Sequence, residues 1–203
     1  MEIDVIVYLG VIGSGKSYST MRDVEKGYLN FNFADEVRSV TWDLLGWKPQ
    51  DEEQYEYFKK STISNKITYT KNSEDVGNAL IIKSLFYEGN PLTGRELLIK
   101  IGDGFRDRFY ENIWVDLWKK RVNESGSNKI VISDCRYLNE VFNILNQVNF
   151  NSKFIFCDYK SNRYEIIDSK SEWLAQQLLN RYKDQEEIDP NVFYEIYKNF
   201  KRS

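Results

Sequence analysis

The chain reads as an α/β protein built on a mainly parallel sheet, and three observations predict it. Val5-Ile6-Val7-Tyr8-Leu9 is a continuous apolar run that ends in a glycine-rich turn, the pattern of a strand buried on both faces. Lys129-Ile130-Val131-Ile132-Ser133-Asp134 and Phe154-Ile155-Phe156-Cys157 are two further runs of the same kind. Between them lie segments with apolar residues at helical spacing, and strands separated by helices pair in parallel.

The elements follow in order. After the first strand, Lys16 to Lys26 reads as a helix closed by Gly27. From Asn30 to Gly94 the chain is read as an irregular, polar excursion, with Lys48-Pro49-Gln50-Asp51-Glu52-Glu53 and Lys71-Asn72-Ser73-Glu74-Asp75 as charged stretches. From Phe109 to Val122 the residues Ile113, Trp114, Leu117, Trp118 and Val122 mark a helix, which leads into the strand ending at Asp134. Leu138, Val141, Phe142 and Leu145 lie on one face of a short helix before the third strand. Two terminal helices close the chain. One carries Trp173, Leu174, Leu178 and Tyr182; the other carries Phe193, Ile196, Tyr197 and Phe200 and is entered by Asp189 as N-cap and Pro190 as first residue.

Composition narrows the function. With 203 residues and 41% hydrophobic content, the chain suits one domain better than two. A net charge of -3 gives no broad cationic surface for a nucleic-acid backbone, although a local pocket for a small anion stays open. There is no histidine, which excludes serine–histidine and cysteine–histidine nucleophiles and histidine-ligated zinc. Cys135 and Cys157 have no metal-ligand spacing and are read as reduced thiols. No apolar run reaches the length of a membrane span and no secretory leader is visible, so a cytoplasmic protein is expected.

The chemistry is carried by Gly10-Val11-Ile12-Gly13-Ser14-Gly15-Lys16-Ser17, which matches G-x-x-x-x-G-K-[ST] between a strand and a helix. Gly13 and Gly15 let the backbone approach phosphate oxygens. The N–H groups of Gly13 through Tyr18 form an anion nest at a helix N-terminus, Lys16 reaches the β- and γ-phosphates of ATP, and Ser17 ligates Mg²⁺. A second metal carboxylate is expected at the end of a buried strand, and Asp134 fits; the competing reading makes it a cap for the helix beginning near Tyr137. Arg38, Arg95, Arg106, Arg108, Arg136 and Arg163 are the cations available to a transferring phosphoryl group, and the competing reading of each is a solvated surface side chain.

Several segments resemble the deoxynucleoside monophosphate kinases of large DNA bacteriophages. Phe33-Ala34-Asp35-Glu36-Val37-Arg38 is similar to that family's F-A-D-x-[LV]-[KR] segment. Arg95-Glu96-Leu97-Leu98-Ile99-Lys100-Ile101-Gly102 resembles its R-x-L-L-Q-x-L-G helix, and Arg106 to Val115 its R-x-x-F-x-x-x-[IF]-W-V segment. Asp134-Cys135-Arg136-Tyr137-Leu138-Asn139-Glu140 fits D-x-R-x-x-N-E. The order matches from Leu9 to Glu140. Two places differ: Gly102-Asp103-Gly104 stands where the family has G-T-[DE], and Ser169-Lys170-Ser171-Glu172 stands where it has H-x-S-E.

The resemblance implies a P-loop nucleoside-monophosphate-kinase-like, three-layer α/β domain over residues 1–203. Its core would be 1–30 and 109–203, its acceptor-binding insertion about 31–108, and its lid about 160–171. It implies that Asp35, Arg38, Trp42, Arg95, Arg106, Asp134 and Arg136 meet the acceptor nucleotide, with Arg38, Arg95, Arg106 and Arg136 at its phosphate, and that Arg136 and Arg163 act with Lys16 in catalysis. Trp42 and Trp47 are candidates to stack the base; core packing is the competing reading. The expected partners are small nucleotides, with no membrane and no polymeric nucleic acid, and pairing of two copies stays open. Two other functions compete. One is a P-loop kinase acting on a hydroxymethylated base in DNA; the other is a nucleotide-binding switch or ATPase module.

Overall fold

A computed structural model of the chain describes residues 2–62, 92–158, 173–179 and 181–201. These divide into two compact units, one of residues 1–33 and 115–203, the other Ala34–Trp114.

The first unit is a four-stranded, all-parallel sheet in the order β2-β3-β1-β4. Its strands are β1 (Ile3–Leu9), β2 (Leu29–Asn30), β3 (Lys129–Ile132) and β4 (Phe150–Phe156). Val7 of β1 pairs with Ile132 of β3 and with Phe154 of β4, so all three strands leave the sheet at the same edge. Side chains alternate across the pleat. Ile3, Val5, Val7, Leu9, Ile130, Ile132, Phe154 and Phe156 point into the larger core, whereas Tyr8, Val131 and Cys157 point to the other face.

The larger core is closed by four helices: α5 (Ile113–Ser125, through Val115, Trp118 and Val122), α6 (Leu138–Leu145), α7 (Trp173–Leu179) and α8 (Asn191–Phe200). On the opposite face lies α1 (Lys16–Val24), whose Asp23 accepts a 2.6 Å hydrogen bond from the Tyr8 hydroxyl. Helices on both faces explain why the strands read as continuous apolar runs, with each fully buried Val or Ile worth about 1.5–3 kcal/mol.

The second unit holds α2 (Ala34–Leu45), α3 (Glu52–Lys60) and α4 (Gly94–Arg108). Val37, Phe58, Leu97, Ile101 and Trp114 form its own core.

The expectation of an irregular excursion fails here. Pro49-Gln50-Asp51-Glu52-Glu53 is the entry of a helix, with Asp51 as N-cap accepting the Gln54 N–H at 2.8 Å and acidic residues in the first turn. Thr93 and Glu96 form a reciprocal capping box at the start of α4. The stretch Lys71–Asp75 lies outside the described residues, as does the expected lid about 160–171.

Other boundaries moved for local reasons. β3 stops at Ile132 and not Asp134, because the Ser133 N–H leaves the ladder and donates to the Asn32 side chain at 2.8 Å. β4 begins four residues earlier than expected; as the sheet's edge strand it exposes Asn151 and Lys153, and these polar residues hide its start. The segment after α7 covers part of that edge, with Ile188 N–H bonded to Phe154 O at 2.8 Å and Gln185 N–H to Phe156 O at 2.7 Å. α8 starts at Asn191, one residue after Pro190, although Asp189 still caps it by accepting the Asn191 N–H.

Candidate functional site

The first unit builds a glycine-rich turn between β1 and α1. Three glycines in it have left-handed backbone: Gly10 at φ 155°, Gly13 at φ 82° and Gly15 at φ 85°. An L side chain rarely adopts these angles. Gly10 is also sterically required, since a Cβ there would lie 2.2 Å from the Cys157 carbonyl oxygen and 2.6 Å from Ser14 Oγ. Around Gly13 a Cβ would meet nothing within 4 Å, so its constraint is conformational alone.

Gly15 is the N-cap of α1, which places Lys16, Ser17 and Tyr18 in the first turn, where N–H groups have no partner inside the helix. Ser17 and Tyr18 are exposed and Ser14 is buried at 1%. The Lys16 ammonium lies back on the turn, donating to Gly10 O at 2.5 Å and Val11 O at 2.7 Å. The turn therefore carries a cation, a helix N-terminus and a hydroxyl, the donor set that fits a polyphosphate and a hard cation together.

Behind the turn the surroundings are fixed. Gln185, at φ 62°, donates from its side chain to Ser19 Oγ at 3.1 Å and to Cys157 Sγ at 3.5 Å. Burial pushes the Cys157 thiol up, and Cys135, fully buried beside Glu140 and Asp134, is raised further. Both cysteines are free, neutral thiols packed inside. Nothing in the sequence marks Gln185; it reaches α1 only because residues 185–188 run along β4.

Asp134 follows β3 by two residues, at the edge of the sheet where β1 also ends. Its Oδ1 accepts the Phe33 N–H at 2.9 Å. The N–H groups leading into α6 are satisfied by another carboxylate: Glu140 Oε2 accepts from Arg136 N at 2.7 Å and from Tyr137 N at 3.1 Å. Arg136 is half-buried in this turn.

In the second unit, Asp35, Arg38 and Trp42 do come together. With Ser39, Asp43 and Lys48 they line a concavity of about 450 Å³. Arg38 Nη2 bonds Asp35 Oδ1 at 2.8 Å. Trp42 belongs to both sequence readings, for it is half-buried against Tyr55 and Phe58 and also lines the concavity; Trp47, 47% exposed, packs edge-on against it.

Residues 35, 38, 39, 42 and 43 stand at i, i+3, i+4, i+7 and i+8, one face of α2. Ser39 and Asp43 thus share the face of Asp35, Arg38 and Trp42 that lines the concavity, a grouping that follows once the segment is read as helical. Arg95 and Arg106 both lie on α4, eleven residues apart, which puts them on the same face but about 16 Å apart along the axis. Arg95 is exposed and its charge reaches the Tyr55 hydroxyl, as does that of Arg38; Arg106 pairs with Asp103 at 3.4 Å. Arg163 lies outside the described residues.

Among the described residues no cluster of three or more acidic or cysteine side chains forms a metal cage, and no helix is long and apolar enough to cross a membrane. The chain matches no protein-family model and no curated protein.

Proposed function

We propose that this chain is an ATP-dependent kinase that phosphorylates a deoxynucleoside monophosphate, with a normal or modified base, to the diphosphate. The observation that carries the proposal is the strand–turn–helix from β1 to α1, with Gly13 and Gly15 at positive φ and Lys16 and Ser17 opening the helix. The order of motifs resembling the phage kinases supports the acceptor.

In this reading the N–H groups of Gly13, Ser14, Gly15, Lys16, Ser17 and Tyr18 hold the phosphates of ATP, and Lys16 swings from the carbonyls of Gly10 and Val11 onto the β- and γ-phosphates. Ser17 and Asp134 would hold Mg²⁺, which when bound neutralises phosphate charge. Asp35, Arg38 and Trp42 hold the acceptor nucleotide; their concavity falls within the usual range for small-molecule sites, roughly 300–1,000 Å³. Arg95, Arg106 and Arg136 meet its phosphate, and Arg163 is assigned to the transferring phosphoryl. An oxygen of the acceptor phosphate attacks the γ-phosphorus as the bond to the β-phosphate oxygen breaks, so ADP leaves and no protein nucleophile is needed.

The test is an acceptor screen with γ-labelled ATP and Mg²⁺ across the common deoxynucleoside monophosphates, their 5-modified forms and duplex DNA. Label should appear in a nucleoside diphosphate. Label in DNA alone would overturn the proposal in favour of a base-modifying kinase. Release of phosphate with no acceptor labelled would overturn it in favour of an ATPase module.

A further inference from the structure

Glu140 is the one carboxylate of the β3–α6 turn that is removed from water, at 1% exposure. Burying a carboxylate is costly unless its oxygens are hydrogen-bonded. The same chain caps α4 with a Glu in the equivalent place, three residues after the N-cap, and there Glu96 is exposed. Capping alone therefore does not require burial. What distinguishes Glu140 is the groups it holds: its Oε2 accepts the backbone N–H of Arg136 at 2.7 Å as well as that of Tyr137 at 3.1 Å, whereas both bonds to Glu96 Oε2 come from its N-cap Thr93.

The other end of the turn is pinned as well. Asn32 Oδ1 accepts both the N–H and the hydroxyl of Ser133, at 2.8 and 3.1 Å, and Asp134 Oδ1 accepts the Phe33 N–H. Four consecutive residues, Ser133 to Arg136, are thus held between two side-chain anchors, and two of them are Asp134 and Arg136. A charged group acts on a phosphate only if its aim is set before the substrate arrives, and that aim is set by bonds behind it.

We propose that Glu140 is a positioning residue, fixing the backbone of Arg136 so that its guanidinium is aimed at the acceptor's phosphate; this rests on the kinase reading above. The test compares Glu140→Gln with Arg136→Lys and with Ile144→Val, a buried change on the same helix that leaves the turn untouched. Both N–H groups share Oε2, so the amide oxygen in Glu140→Gln could still accept them but without the charge that strengthens the two bonds, and amide exchange at Arg136 and Tyr137 should accelerate. Acceptor KM should rise about tenfold to a hundredfold, with the Kd for ATP within about twofold of wild type.

Arg136→Lys should show the same split, and Ile144→Val should not. If Arg136→Lys raises KM but Glu140→Gln does so no more than Ile144→Val, the positioning role is overturned while the kinase reading stands. If Arg136→Lys leaves KM normal, the assignment of Arg136 fails and the proposal falls with it. Exchange in the wild-type protein decides the matter even if Glu140→Gln does not fold: both amides lie outside helix and strand, and fast exchange at either overturns the proposal.

Discussion

Lys16 and Asp134 are each engaged within the protein, and those bonds sharpen what substitution should do. The Lys16 ammonium rests on the carbonyls of Gly10 and Val11 in a half-exposed turn, outside the apolar clusters, so its loss removes a cation and leaves the core in place. Lys16→Ala should cut kcat by about 10²- to 10³-fold, the effect of losing one preorganised donor, with a Tm close to wild type. More than about a tenth of wild-type activity would remove the turn from the mechanism. Asp134 is subtler because its Oδ1 also holds the Phe33 N–H. Asn keeps that acceptor and loses the charge, whereas Ala loses both. Asp134→Asn should fold normally, lose activity and regain part of it at high Mg²⁺; Asp134→Ala should in addition lose about 1–3 kcal/mol of stability. Thermal melts and Mg²⁺ titrations of the pair separate the two roles, and an early-melting Asp134→Asn with ordinary metal dependence would make the residue structural.

At the level of elements, helix ends decide more than helix interiors. The box that starts α4 is held by Thr93 and Glu96, and the Thr93 N–H and hydroxyl hold the Glu96 carboxyl below the usual range. A carboxyl whose pKa is lowered on folding contributes stability above its unfolded value, near 4.3, and loses it as pH falls through the folded value. Thr93→Ala should therefore cost about 0.5–2 kcal/mol at neutral pH, and its Tm gap to wild type should narrow in acid without closing, because the bond from the Glu96 N–H to the Thr93 hydroxyl does not titrate. A gap that is constant from pH 7 to pH 3 would show that the cap works without the carboxylate's charge. The same logic explains α2 and α3. Their entries are marked by Asp35-Glu36 and Asp51-Glu52-Glu53, acidic first turns that look like mere charged loop in composition but complement the helix dipole.

Across the whole molecule, the two units have separate cores: the ATP turn and the acceptor cation Arg136 belong to the first, the lined concavity with Arg95 and Arg106 to the second. Substitutions in the second unit should then act on the acceptor and not on ATP. Arg95→Lys and Arg106→Lys keep charge and lose the planar fork, so each should raise acceptor KM with the Kd for ATP nearly unchanged. Placed on one phosphate they are coupled, so although they stand about 16 Å apart along α4 the double variant should be strongly non-additive. Additive effects would place them on different parts of the acceptor. Normal KM in both would leave the ATP half of the proposal intact and remove the acceptor half.

The sequence alone determined the parallel sheet, since strands covered by helices on both faces read as apolar runs, and it determined the glycine-rich turn after β1, since glycines followed by Lys-Ser between a strand and a helix form a motif legible in consecutive residues. It did not disclose α2 or α3, whose polar faces outweigh a narrow apolar stripe, and so the face carrying Ser39 and Asp43 beside Asp35, Arg38 and Trp42 went unread. Only the tertiary structure decided that Asn32 would end β3, that Gln185 would reach α1, and that Glu140 would be buried behind Arg136. Each of these joins a hydrogen-bonding group to a partner set by the path of the chain: Asn32 meets Ser133 across 101 residues of sequence and Gln185 meets Ser19 across 166. Glu140 is only four residues from Arg136, but its burial depends on the packing of α6 against the sheet, which the spacing of residues cannot report.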